Sequence, residues 1–178
     1  MPGKFYQLMR VKAEKKLPKD QLLERILNFL KTQTMCTLCT CRNNVPRATP
    51  LEYYNDGTSL YMIPHKGVKM ANLRANPKVS IGVYNHVHPR WADGQNWLGV
   101  IGAQITGTAR LIPDSDPEYF EARDKYRSPT ITPDRDRTPK GRMMLRIDCD
   151  RIEYLDIALK LEGYASKQVW TSPRRNLR

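Results

Sequence analysis

Three short pieces of the chain carry residues that could do chemistry together. Arg47, Ala48, Thr49, Pro50 and Leu51 form a strand-like run with a cation at its head. His65 and Lys66 follow the next strand-like run, and Val68 and Lys69 open a short helical pattern. A helix N-terminus presents unpaired amide N–H groups, so Arg47, Lys66 and Lys69 beside it would make a site for a phosphate dianion. The competing reading is scattered surface charge. The other candidates are weaker. Cys36, Cys39 and Cys41 crowd together, but a structural zinc site needs a second ligand pair at suitable spacing, and none follows. His86 and His88 could pair on a strand face, yet they fall in a polar loop, so no metal is expected. No Ser/His/Asp or Cys/His arrangement has the spacing of a nucleophilic site.

The elements that must position these residues can be read from periodicity. Residues 20–31 place Leu22, Leu23, Ile26, Leu27 and Leu30 at helical spacing, with Asp20 as the cap. Residues 34–42 alternate, setting Cys36, Leu38 and Thr40 on one face and Thr37, Cys39 and Cys41 on the other. Asn43-Asn44 and Asn55-Asp56-Gly57 then punctuate two hairpins. A short helix is predicted over Val68 to Ala75, closed by Asn76-Pro77, and a strand follows it. The long run from Leu98 to Ile112, with glycines at 99, 102 and 107, reads as one curved or bulged barrel strand. Asp116 caps a helix with Pro117 at its first position. Residues 127–141 read as a loop, and RMMLRID and RIEYLDI as two final strands before a basic tail. Hairpin-connected strands with helices as punctuation imply a mainly β fold, an antiparallel barrel or sandwich, and exclude a doubly wound nucleotide fold.

Composition bounds the rest. The chain has 178 residues, the size of one domain, and no apolar run of the roughly 18–20 residues that span a bilayer. Without a signal-peptide pattern, a cytoplasmic protein is the expectation. The net charge of +12 is concentrated at the ends: six Lys/Arg against two acids in residues 1–20, and five against one in residues 160–178. Solvated basic tails are therefore favoured over a nucleic-acid interface. A polyanion-binding protein stacking bases on Trp91 and Trp97 is the remote alternative.

The run VPRATPLEYYNDGTSLYMIPHKGVKMANLRANPKVSIGVYN, followed later by QITGTARLI, resembles the pyridoxamine 5'-phosphate oxidase-like flavin-binding split barrels. The resemblance lies in an Arg-x-x-Pro strand pair, a Gly-x-Lys turn, an Asn-Leu-x-x-Asn-Pro helix and a late Gly-x-Ala strand, and covers about residues 20–157. It implies a six-stranded antiparallel split β-barrel of Greek-key type, forming a homodimer with FMN at the interface. Carried onto this sequence, Arg47 to Leu51 would run along the flavin, Met62 and Ile63 would contact it, and Val68 and Lys69 would hold its phosphate, with His65 and Lys66 beside that turn. Gln104 of the second subunit would reach the ring, although the family's glutamine falls where this chain has Gly102.

Two departures argue against true pyridoxamine phosphate oxidase activity. Glu52 stands where the oxidases place a lysine for the substrate phosphate, and the C-terminal Arg-x-His motif is missing. Leu155 occupies the place of a flavin-stacking tryptophan. The expected function is thus that of an FMN-dependent oxidoreductase acting on another small molecule. A deazaflavin- or haem-binding barrel, or a flavin electron carrier without turnover, is the alternative.

Overall fold

The computed structural model describes residue 10 and residues 12–87, 96–126 and 141–173. In chain order the elements are α1 (Lys19–Thr32), β1 (Met35–Arg42), β2 (Val45–Glu52), β3 (Tyr54–Asp56), β4 (Ser59–Met62), α2 (Val68–Ala75), β5 (Lys78–Tyr84), β6 (Ile101–Pro113), α3 (Pro117–Tyr126), β7 (Met143–Asp156) and β8 (Lys167–Thr171). The strands are hydrogen-bonded in the order β2-β1-β5-β6-β7-β4-β3, with β8 also along β7. All strand pairs are antiparallel. The two ends of that path, β2 and β3, are consecutive in the chain and separated by Tyr53 alone. Counted as one bent strand, they give the six strands of a split barrel, with β8 an addition to the far half of β7.

Register explains the core. Thr49, Leu38, Ile81, Ile105 and Ile152 stand side by side across β2, β1, β5, β6 and β7. The four aliphatic members of this row are at most 1% exposed. Each contributes roughly 1.5–3 kcal/mol by leaving water. Helix α1 covers the same core with Leu22, Ile26, Phe29 and Leu30. A bidentate ion pair from Arg25 to Glu162 (3.1 and 2.7 Å) ties that helix to the turn after β7. Helix α3 covers a second cluster around Tyr61, Ile112 and Met144.

The bulge expected in the long strand β6 falls instead on its partner: the register shifts between Thr106 and Gly107, and Asp150 is the extra residue on β7. Gly107 is required there. A Cβ at this position would lie 2.6 Å from the Asp148 carbonyl oxygen.

Several expectations stand: the inward face of β1, the Asn43-Asn44 turn with both residues at positive φ (51° and 61°), and the limits of α2. The Asp116 cap is also present, its carboxylate accepting from Glu118 N at 3.0 Å. Others are corrected. Helix α1 has Pro18 at the cap position, leaving Asp20 in the first turn. The two final runs are one 14-residue strand, because the bulge absorbs the break in alternation at Cys149-Asp150. The C-terminal region contains β8, whose Gln168 is buried and accepts from the Leu17 N–H at 3.3 Å, so the packed core reaches beyond residues 20–157 at both ends. Trp91, His88 and residues 127–140 lie outside the described residues, as does the side chain of Trp97.

Two outcomes follow. Gly107→Ala should lower the unfolding free energy by about 1–3 kcal/mol in urea titrations, since backbone must move to admit the methyl group. Burial pushes the thiols of Cys36 and Cys149 up to about 12, whereas Cys39 and Cys41 are partly exposed on the outer face. A thiol reagent near neutral pH should therefore label Cys39 and Cys41 in the native protein and all four cysteines only after denaturation.

Candidate functional site

Helix α2 organises the site. It starts at Gly67, whose φ of 140° favours glycine, and is held against β1 by its asparagines. Asn72 Nδ2 donates to Thr40 Oγ1 at 3.1 Å, and Asn76 Nδ2 donates to the Cys41 carbonyl at 3.3 Å. Thr40 stands opposite Arg47 in the β1–β2 ladder. Lys69 lies one turn before Asn72 and Leu73 on the buried side of the helix. The fold therefore brings Arg47 and Lys69 to the two flanks of the Thr40–Asn72 contact. Arg47 is exposed, Lys69 is only 9% exposed, and neither side chain makes a hydrogen bond or ion pair among the described residues.

Strand β2 supplies the second part of the site. Prolines 46 and 50 have no N–H, and the two-residue turn at Asn43-Asn44 makes Arg42 and Val45 a hydrogen-bonded pair. By alternation, Arg47, Thr49 and Leu51 keep the ladder to β1. Pro46, Ala48 and Pro50 turn their carbonyls outward, and Ala48 adds an N–H, along an edge that no described strand covers. On the inward side Leu51 is buried, and Thr49 ends the aliphatic row described above. The Thr49 hydroxyl oxygen is buried with no hydrogen-bond partner. Such a group costs roughly 1–3 kcal/mol until something satisfies it.

The remaining predicted residues are distributed unevenly. Met62 is wholly buried opposite Leu145, so only its backbone can face a ligand. Ile63 is half-buried, and His65, Lys66 and Val68 are exposed. Ile63, His65 and Lys66 line a cleft of about 530 Å³ on the far flank of α2 together with Arg74 and Arg142. The last two were missed from sequence. Arg74 could have been noticed on the helix, but Arg142 is brought in by β7 from far along the chain. Gln104 is exposed on the outer sheet face between Gly82 and Glu153. Within one chain it does not join Arg47, whose side chain shares the opposite, inward face of the sheet with Thr40. Among the described residues no group of three or more His, Cys, Asp or Glu could hold a metal ion, and no helix is long and apolar enough to cross a membrane.

Residues 22–156 match the pyridoxamine 5'-phosphate oxidase family, three quarters of the chain and all of the elements that build this site. The chain belongs to that family. Among curated proteins it is 29% identical over 87 residues to an uncharacterized protein of Rhizobium meliloti (strain 1021), an alignment covering 49% of this chain and 52% of that one. The chain thus spans about half the length of the curated relative it matches. Solved structures of similar fold include an FAD-binding protein of Mesorhizobium loti (21% identity, TM-score 0.56, 72% of this chain and 88% of that one). A conserved hypothetical protein of Mycobacterium tuberculosis gives 18% identity and a TM-score of 0.62, over 86% and 92% of the two chains. An FAD-binding protein of Mycobacterium smegmatis gives 14% and 0.51, over 78% and 94%.

The orphaned hydroxyl gives a direct check on the site. Thr49→Val removes a buried polar group and keeps its shape, so the ligand-free protein should be as stable as the parent or more stable, by up to about 1 kcal/mol, in urea titrations. A clear loss of stability would mean that the hydroxyl has a partner within the fold.

Proposed function

We propose that this family member binds FMN, with the phosphate on Arg47, Lys69 and the N-terminus of α2 and the ring along the open edge of β2. The observation that carries this reading is that the buried Lys69 and the exposed Arg47, neither side chain paired among the described residues, are linked through Thr40, which stands opposite Arg47 and bonds Asn72 one turn from Lys69, with the orphaned Thr49 hydroxyl two residues along β2. A phosphate dianion would satisfy Lys69 and Arg47 through charge-assisted hydrogen bonds. The Thr49 hydroxyl is placed to serve polar atoms of the ligand, and the outward N–H of Ala48 with its flanking carbonyls offers a donor and acceptors for the polar edge of a flavin ring. Family membership supports the reading, as do the two structural relatives that are FAD-binding proteins.

When bound, FMN would supply the hydride or electron transfer, which accounts for a site without a catalytic triad. The protein's part is to bind, orient and shield. Substrate specificity differs from that of the true oxidases: Glu52, exposed at the end of β2, would repel a phosphate where they bind one. We take the activity to be that of an FMN-dependent oxidoreductase acting on another small molecule. A homodimer fits the outer sheet face, where Pro50, Thr37, Gly82 and Gln104 form a row of mostly small residues across four strands. A second copy on that face would bring its own Gln104 toward the flavin of the first.

Arg47→Ala and Lys69→Met should each weaken FMN binding by about 1–3 kcal/mol, read by flavin fluorescence titration, while circular dichroism stays native. The methionine keeps the buried stem of Lys69, so a loss of affinity reports the charge. Unchanged affinity in both variants would overturn the assignment of the phosphate site.

A further inference from the structure

Two sets of cations on this protein stand in contrast. Arg25, Arg110, Arg146 and Arg151 each hold a carboxylate. The side chains of His65, Lys66, Arg74 and Arg142 hold none among the described residues, and all four converge on the cleft beside α2. The Asp114 carboxylate beside Arg142 is engaged by backbone, accepting from Gly141 N at 2.7 Å and Arg142 N at 3.2 Å. The floor of the cleft is apolar, formed by Ile63 and Met70 among others, and its volume of about 530 Å³ is that of a small-molecule site.

This cleft is separate from the Arg47–Lys69 pair. Met70 and Arg74 sit on the flank of α2 away from Asn72, the residue that faces β1 and Arg47. The two sites meet at the helix N-terminus at Gly67, and Ile63, His65 and Lys66, which the family resemblance sets beside the flavin, line this cleft. Unpaired cations around an apolar floor match a ligand that has a flat apolar body and a phosphate.

We infer that this cleft binds a nucleoside phosphate, its phosphate held by Lys66, Arg74 and Arg142 and its base lying over Ile63 and Met70. The inference rests on the flavin reading only for the occupant of the neighbouring site. Its own occupant has two possible sources with the same chemistry, the adenylate half of a dinucleotide flavin or a separate nucleotide.

The test is calorimetric titration of the ligand-free protein with AMP and with adenosine, repeated on the double variant Arg74→Ala/Arg142→Ala. Both arginines are exposed, so the fold should tolerate their loss. AMP should bind, adenosine should bind at least about tenfold more weakly, and the double substitution should weaken AMP by at least about tenfold while FMN affinity stays within about twofold. Displacement of bound AMP by FAD but not FMN would assign the cleft to the cofactor's own adenylate half, and displacement by neither would assign it to a separate nucleotide. No binding of AMP, AMP binding indifferent to the double substitution, or displacement of AMP by FMN would overturn the inference. Because AMP is titrated without flavin, failure of FMN to bind would count against the flavin site alone.

Discussion

The fold depends on the close approach of β6 and β7 at Gly107. These two strands pair at 13 positions, and they stay together through the bulge because position 107 carries no side chain against the Asp148 carbonyl. The bulge increases local twist and re-aims the strand. One half of β7 then pairs with β4 and the other half with β8. The same curvature carries the inward row from Leu38 to Ile152 around the core, on which α1 sits. Between the two ends of the strand path there is no ladder, only the connection through Tyr53, and the edge of β2 is left open. The prolines on that edge remove two of its outward N–H groups and so discourage pairing with another strand. They leave it accessible to a small molecule.

Electrostatics picks out the same end of the molecule. A buried ammonium without a counter-charge is costly, and an orphaned buried hydroxyl adds to the cost. Lys69 and Thr49 carry both costs within the elements that α2 and β2 bring together. An anionic polar ligand would offset both. Arg25, Arg110, Arg146 and Arg151 are by contrast paired with acids, as in the Arg146 links to Glu118 and Asp148, each at 2.8 Å. The buried Lys69, without a carboxylate among the described residues, therefore marks a place where the partner comes from outside the chain.

Much of this was legible in the sequence, and the rest was hidden for physical reasons. Alternation in MCTLCTCR placed the inward face of β1, and the Asn43-Asn44 turn fixed the β1–β2 register, because both signals are local. The single strand β7 read as two because a bulge breaks the period of two on which strand reading depends. Strand β8 was lost in a segment whose charge suggested solvent, yet alternate residues, Gln168 and Trp170, turn to the sheet while Lys167 and Val169 stay exposed. Arg47 and Lys69 were visible as chemistry, but the burial of Lys69 was not. Met62 belongs to the core, which its place beside a turn did not reveal. Arg142 reaches the cleft only through the β6–β7 pairing, a long-range contact that spacing along the chain does not encode.

The most direct test of the central claim compares FMN with riboflavin, which has the same ring and no phosphate, in fluorescence titrations of the ligand-free protein. If Arg47 and Lys69 anchor a phosphate, FMN will bind with a perturbed visible spectrum, and riboflavin will bind at least about tenfold more weakly. Equal affinity for the two, or binding of neither by the folded protein, would contradict the account.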